Sequence, residues 1–88
     1  MNEGKGVVRT ADYPAGPMRR GEQGTAIITF RVQPDGRVAD CAIKRSSGSS
    51  ELDTASCALF VHRARFTPQP DSSGLDRRTV PVNWRLPR

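Results

Sequence analysis

The chain has 88 residues, 14 Lys and Arg against 9 Asp and Glu, a net charge of +5 and 35% apolar content. A chain of this length buries only about 60–65% of its unfolded surface, which suits one small core and excludes two domains or an elaborate enclosed active site. Its longest apolar run, Cys57-Ala58-Leu59-Phe60-Val61, is far short of the ~20 residues that cross a bilayer, and no signal-peptide pattern follows Met1, so if the protein is exported, the exporting segment is expected outside this sequence.

Residues 1–11 show no apolar period and contain two Gly, which reads as a flexible lead-in to a domain over 12–88. Gly24 to Val32 then alternates, with Ala26, Ile28, Phe30 and Val32 on one face, a strand of period two. Gln33-Pro34-Asp35-Gly36 follows, its Asp-Gly pair suited to the positive φ of a hairpin turn. Arg37 to Ser46 is the expected returning strand. Val38 and Ile43 lie an odd number of positions apart, so one bulge near Asp40 is needed to bring both to the core face.

Ser46-Ser47-Gly48-Ser49-Ser50 breaks the strand, and Ser50-Glu51-Leu52-Asp53 has the form of a capping box opening a helix. Leu52, Ala55, Leu59 and Phe60 supply its apolar stripe, and Arg63 and Arg65 stand near its C-terminal end, where the dipole favours cations. The helix must finish before Pro68, with Phe66 packing back. Gln69 to Asp76 reads as a loop, and Thr79 to Leu86 as a last strand with Val80, Val82, Trp84 and Leu86 inward. The sum is a two-layer α+β domain: a three-stranded antiparallel sheet in the order 2-1-3, one main helix on one face, and the last strand at an edge.

Catalytic chemistry is not expected. His62 is the only histidine, and at five residues beyond Cys57 it is turned about 500° away on a helix. No nucleophile-elbow or phosphate-cradling motif is present. The cations are mostly arginines scattered along the chain, with only Tyr13, Phe30, Phe60, Phe66 and Trp84 as aromatics. That is the composition of a solvated surface rather than of a nucleic-acid platform, so a basic nucleic-acid module is a minor alternative. Cys41 and Cys57 admit three readings. A disulfide would contribute roughly 3 kcal/mol by closing its loop; two free buried thiols are a second reading. Half of a metal site is the third and weakest, because four ligands are hard to assemble around one His and no C-x-x-C. No cofactor is expected. Pro81 should turn its backbone to the open side of the last strand, since proline has no N–H for an inward ladder; a peptide added there would pair mainly with Asn83 and Arg85.

The order Tyr13-Pro14, the alternating Gly24–Val32, Pro34-Asp35-Gly36-Arg37-Val38, Ser46-Ser47-Gly48, Leu52-Asp53-x-Ala55, Arg65-Phe66-Thr67-Pro68 and Val80-Pro81-Val82-Asn83-Trp84-Arg85-Leu86 resembles the C-terminal domain of TonB energy transducers. The resemblance implies a periplasmic domain of an inner-membrane-anchored protein associated with ExbB and ExbD, with anchor and Pro-rich spacer outside this sequence. It implies that the domain binds the TonB box of outer-membrane transporters by strand addition and passes on energy from the proton gradient for uptake of siderophores, cobalamin and similar nutrients. Carried onto this sequence, the contact residues are Tyr13, Pro14, Thr79, Val80, Pro81, Val82, Asn83 and Arg85. In the family Tyr-Pro opens a short helix; Gly16-Pro17 here makes a shortened or irregular one the expectation. An exported setting favours the Cys41–Cys57 disulfide. A homodimer through the free edge and contact with peptidoglycan are compatible with this reading. A TonB- or TolA-like domain of another envelope protein is the alternative.

Overall fold

The computed structural model describes residues 12–68 and 76–86; the lead-in expected over 1–11 and nearly all of the loop expected over 69–76 lie outside the described residues. The elements are α1 (Ala15–Arg20), β1 (Gly24–Val32), β2 (Val38–Arg45), α2 (Ser50–Arg63) and β3 (Arg77–Trp84). The strands form one antiparallel sheet in the order β2-β1-β3, as the alternation and connections predict. β1 is central, and its buried Ala26, Ile28, Phe30 and Val32 meet Val80, Val82 and Trp84 of β3 beneath Leu52, Ser56 and Phe60 of α2. Phe30, Phe60 and Phe66 form a three-ring cluster with centroids 5.2–6.3 Å apart. Removing a ring of that size from water stabilises by about 1.5–3 kcal/mol, so this cluster is a major part of so small a core.

The hairpin turn differs in detail from the expectation. Gly36 has φ +86°, but Asp35 is not in the left-handed region. Gly36 N–H donates to Gln33 O at 2.8 Å and Gln33 N–H to Arg37 O at 2.8 Å. This is a three-residue loop whose last residue takes the left-handed conformation, a geometry that asks it of one residue only. The Asp35 carboxylate instead accepts from Arg37 N–H at 3.0 Å. The returning strand is one residue shorter at each end than Arg37–Ser46; Arg37 pairs in isolation with Arg65, and Ser46 Oγ donates to Asp53.

The bulge falls where the slipped pattern requires it. Between Thr29↔Ala42 and Arg31↔Ala39, β2 carries one residue more than β1, and Asp40 there has φ +54°. Ile43 consequently stands across from Ile28 on the helix side, yet it is 38% exposed. The edge position, not the face, leaves it open. A second irregularity separates Ile27↔Arg45 from Ile28↔Ile43.

The cap of α2 is a correction. Ser49, not Ser50, is the N-cap, and its Oγ accepts from Leu52 N–H at 3.3 Å. Asp53 does not close a capping box; its carboxylate reaches back to Ser46 Oγ (2.5 Å), Ser47 N–H (2.8 Å) and Ser47 Oγ (2.7 Å). Three donors from the preceding loop outbid one backbone N–H at the cap. The helix ends at Arg63, before Pro68, and Phe66 is buried as expected. β3 begins and ends two residues earlier than Thr79–Leu86. α1 is a single six-residue α-helix despite Gly16-Pro17. Pro17 is its third residue, where the absent N–H belongs to the first turn and has no intrahelical acceptor, so the proline breaks no bond. Met18 N–H makes the first one, to Pro14 O at 3.0 Å. Cys41 and Cys57 are joined in a disulfide with Cα atoms 5.7 Å apart, which settles the three readings of the pair.

Candidate functional site

Among the described residues the sheet has two unpaired edges, and they are not equivalent. β2 is interrupted twice and carries a left-handed residue, so its outer edge cannot present an even row of donors and acceptors. β3 pairs with β1 without a slip from Gly24↔Trp84 to Arg31↔Arg77. Pro81 lies inside that unbroken ladder, opposite Ile27. Antiparallel pairs alternate between those that exchange both N–H···O bonds and those that exchange none, and a proline fits only the second kind. Pro81 therefore turns its backbone outward, and Thr79 and Asn83 do so by parity. Arg77, at the start of β3, does so too, so the open edge offers three N–H groups, from Arg77, Thr79 and Asn83, and the four carbonyls of Arg77, Thr79, Pro81 and Asn83.

The side chains divide as the strand period dictates. Val80 and Val82 point into the core, so at this edge they are structural supports; Thr79, Pro81, Asn83 and Arg85 are exposed. Asn83 Oδ1 accepts from Thr25 Oγ at 2.7 Å across the strand pair. Beyond β3, Leu86 N–H donates to Gln23 Oε1 at 2.7 Å, holding the end of the chain along β1.

Two polar arrangements that the sequence reading missed fix β3 at its ends. Trp84 is fully buried, as expected of a core residue, and its Nε1–H donates to Ser56 Oγ at 2.8 Å, which in turn donates to Leu52 O at 2.8 Å. Ser56 is wholly buried in the stripe of α2 for this reason. At the other end Asp76 is buried and binds Arg78 through both carboxylate oxygens at 3.1 Å. Arg78 also donates to Thr67 O at 2.6 Å and lies 5.3 Å over the Phe66 ring. Asp76 O accepts from Val32 N–H at 2.7 Å, tying this junction to β1. Neither arrangement has a signature in periodicity.

Tyr13 is 7% exposed, and its ring meets Trp84 edge-on at 5.2 Å and 84°. Its hydroxyl donates to Glu22 O. Burial raises the phenol above its ordinary range, with Arg85 acting against the shift. Pro14 is the N-cap of α1 and half-buried; with Ser50, Glu51, Thr54 and Ala55 it lines an open cavity of about 370 Å³ between α1 and the first turns of α2. Tyr13 is thus brought to β3 through Trp84, whereas Pro14 faces the helix layer. Asp12, just before them, makes a two-pronged pair with Arg63 at 2.6 Å, which anchors the incoming chain to the end of α2.

A sheet with one clean, proline-marked edge, stapled to its covering helix, defines a small two-layer α+β domain. Residues 9–86 match the family described as Gram-negative bacterial TonB protein C-terminal, and the chain belongs to that family. It is 36% identical over 70 residues to the Protein TonB of Pseudomonas putida, which covers 80% of this chain and 28% of the relative. It is 32% identical over 77 residues to Protein tonB2 of Pseudomonas aeruginosa, covering 85% of this chain and 28% of that relative. With the Protein TonB of Pasteurella multocida it shares 32% over 75 residues, 84% of this chain and 28% of the relative. The chain thus spans under a third of the length of the curated relatives it matches. No solved structure shows a significant match.

Proposed function

We propose that this domain is the partner-gripping end of a TonB-type energy transducer, a binding module rather than an enzyme. In this reading it lies in the periplasm as part of an inner-membrane-anchored protein, coupled to ExbB and ExbD through segments outside this sequence. It takes the TonB box of an outer-membrane transporter as an added strand on β3 and passes on proton-gradient energy for uptake of siderophore- or cobalamin-type nutrients. The observation that carries the reading is the unbroken β1–β3 register with Pro81 inside it, which leaves a regular outer edge. Family membership supports the same reading.

Asn83 and Arg85 are the principal pairing positions, because Pro81 removes a donor from the middle of the edge. Val80 and Val82 contribute by fixing the strand from beneath, and Tyr13 by packing on Trp84 where β3 ends. An NMR titration of the oxidised domain with a synthetic TonB-box peptide tests this. The expected result is that the amides of Thr79, Asn83 and Arg85 shift on binding. Shifts confined to β2, with those amides unmoved, overturn it.

A further inference from the structure

Among the described residues, one face of the sheet carries no covering layer. α2 lies over the face of Ile28, Phe30 and Val32, so Thr25, Ile27, Thr29 and Arg31 stand on the other. The register supplies their neighbours on that face: Arg45 and Pro81 flank Ile27, Ala42 and Thr79 flank Thr29, Ala39 and Arg77 flank Arg31, and Asn83 stands beside Thr25. We propose that this open face is a docking surface for an acidic polypeptide, read by Arg31, Arg45 and Arg77. The inference is independent of strand addition at the β3 edge.

Charge distribution is the first support. Arg31 and Arg77 are directly opposite each other, an arrangement that repels unless a counter-ion is supplied. Asp40, on the bulge, supplies one for Arg31 at 2.9 Å. Among the described residues Arg45 and Arg77 have no acidic partner. The other described carboxylates are engaged elsewhere: Glu22 and Glu51 by Arg20, Asp35 by Arg37, Asp53 by Ser46 and Ser47, Asp12 by Arg63, Asp76 by Arg78. Arg45 and Arg77 thus leave uncompensated positive charge on the uncovered face, on either side of the Arg31–Asp40 pair.

Shape and chemistry narrow the occupant. Between the arginines the register places Ile27, Pro81, Thr29, Thr79, Ala42 and Ala39, uncharged side chains on a pleated surface, which fits a flat or extended partner. Strand spacing and rise place the Cα atoms of Arg45 and Arg77 roughly 16 Å apart, the reach of about five residues of extended chain. Guanidinium groups bind carboxylates through paired N–H donors. Nucleic acid is disfavoured because every aromatic ring, at Tyr13, Phe30, Phe60, Phe66 and Trp84, is buried, leaving nothing on this face for a base to stack on.

The test uses a short poly-L-glutamate as probe, titrated into the oxidised domain at low salt and followed by NMR. Shifts are expected at Thr25, Thr29, Ala42 and Thr79. The double variant R45E/R77E should bind about tenfold more weakly or worse, whereas R19E/R65E, which changes net charge equally at exposed sites off this face, should change affinity less than about twofold. R45Q/R77Q serves as the second variant should charge reversal disturb folding, and a clear loss is expected there too. Equal weakening by both charge-reversal pairs, or shifts centred on α2, overturns the proposal. So does tighter binding at the same residues of an oligothymidylate or of phosphatidylglycerol vesicles.

Discussion

Gly36 shows how a single residue can be fixed twice. Its φ of +86° disfavours any side chain, and a Cβ there would stand 2.5 Å from Phe66 O, the backbone of the segment returning from α2. Phe66 N–H donates to Gly36 O at 2.9 Å, so the turn and that segment cannot simply separate. Gly48 has a comparable φ of +98° but open space around its would-be Cβ. Gly48→Ala is therefore expected to cost about 1 kcal/mol, the backbone penalty alone, and Gly36→Ala clearly more, about 2–3 kcal/mol. Urea unfolding of both variants checks the difference; equal midpoints would show that the contact with Phe66 yields without cost. Asp53 supports a prediction in pH. Burial works to raise its carboxyl, but the hydrogen bonds from Ser46 and Ser47 prevail and hold it below the usual range. A carboxyl depressed in the folded state contributes stability above its unfolded value, about pH 3.9, and loses it as the pH falls through the folded one. Asp53→Asn should thus be less stable than the parent near neutrality, with the gap narrowing below about pH 4. Parallel acid-unfolding curves would contradict this.

Among the elements, β2 depends most on covalent help. It is an edge strand with two irregularities, and beyond Val38 its residues are half-buried or exposed. The disulfide fastens it to the middle of α2 just after the bulge at Asp40. Closing a loop of this size is worth about 3 kcal/mol, so Cys41→Ser with Cys57→Ser should lower the melting temperature by roughly 10–20 °C. Hydrogen exchange should then rise most in β2 while the β1–β3 ladder stays protected; uniform acceleration would place the staple's effect on the whole fold instead. The contrast between elements also explains what could be read beforehand. β1 has one buried face and a strict period of two, so its limits and the sheet order were legible, and Pro81 marked the outward side of β3. The start of α2 was misplaced by one residue because Ser46, Ser47, Ser49 and Ser50 are chemically equivalent candidates, and only Asp53 reaching back to the first two decides among them. Ser56 was hidden because its burial depends on Trp84, 28 positions away. The arginine face stayed invisible until both slips in β2 set which residues stand beside Ile27 and Arg31.

At the scale of the whole molecule, the two sheet edges divide the work. One is broken by bulges and stapled to the helix; the other is regular and, among the described residues, unpaired. This asymmetry makes the direction of each backbone group in β3 decisive, and proline scanning reads that direction. Asn83→Pro removes an N–H that faces the open edge, so the ladder to β1 survives and the domain should stay folded, losing less than about 1 kcal/mol beyond its Thr25 contact. Strand addition should nevertheless weaken by at least about tenfold, because Pro81 and the new proline would leave β3 without an outward donor after Thr79. Val82→Pro, one residue earlier, removes an inward N–H opposite Ala26 and places a ring in the core, so it should unfold the domain. Circular dichroism and titration with the TonB-box peptide measure the two effects separately. A folded Asn83→Pro variant that binds as well as the parent would refute edge pairing at this strand while leaving the fold assignment intact. Unfolding of Asn83→Pro together with tolerance of Val82→Pro would reverse the assigned direction of the edge, moving the outward donors to Arg78, Val80 and Val82.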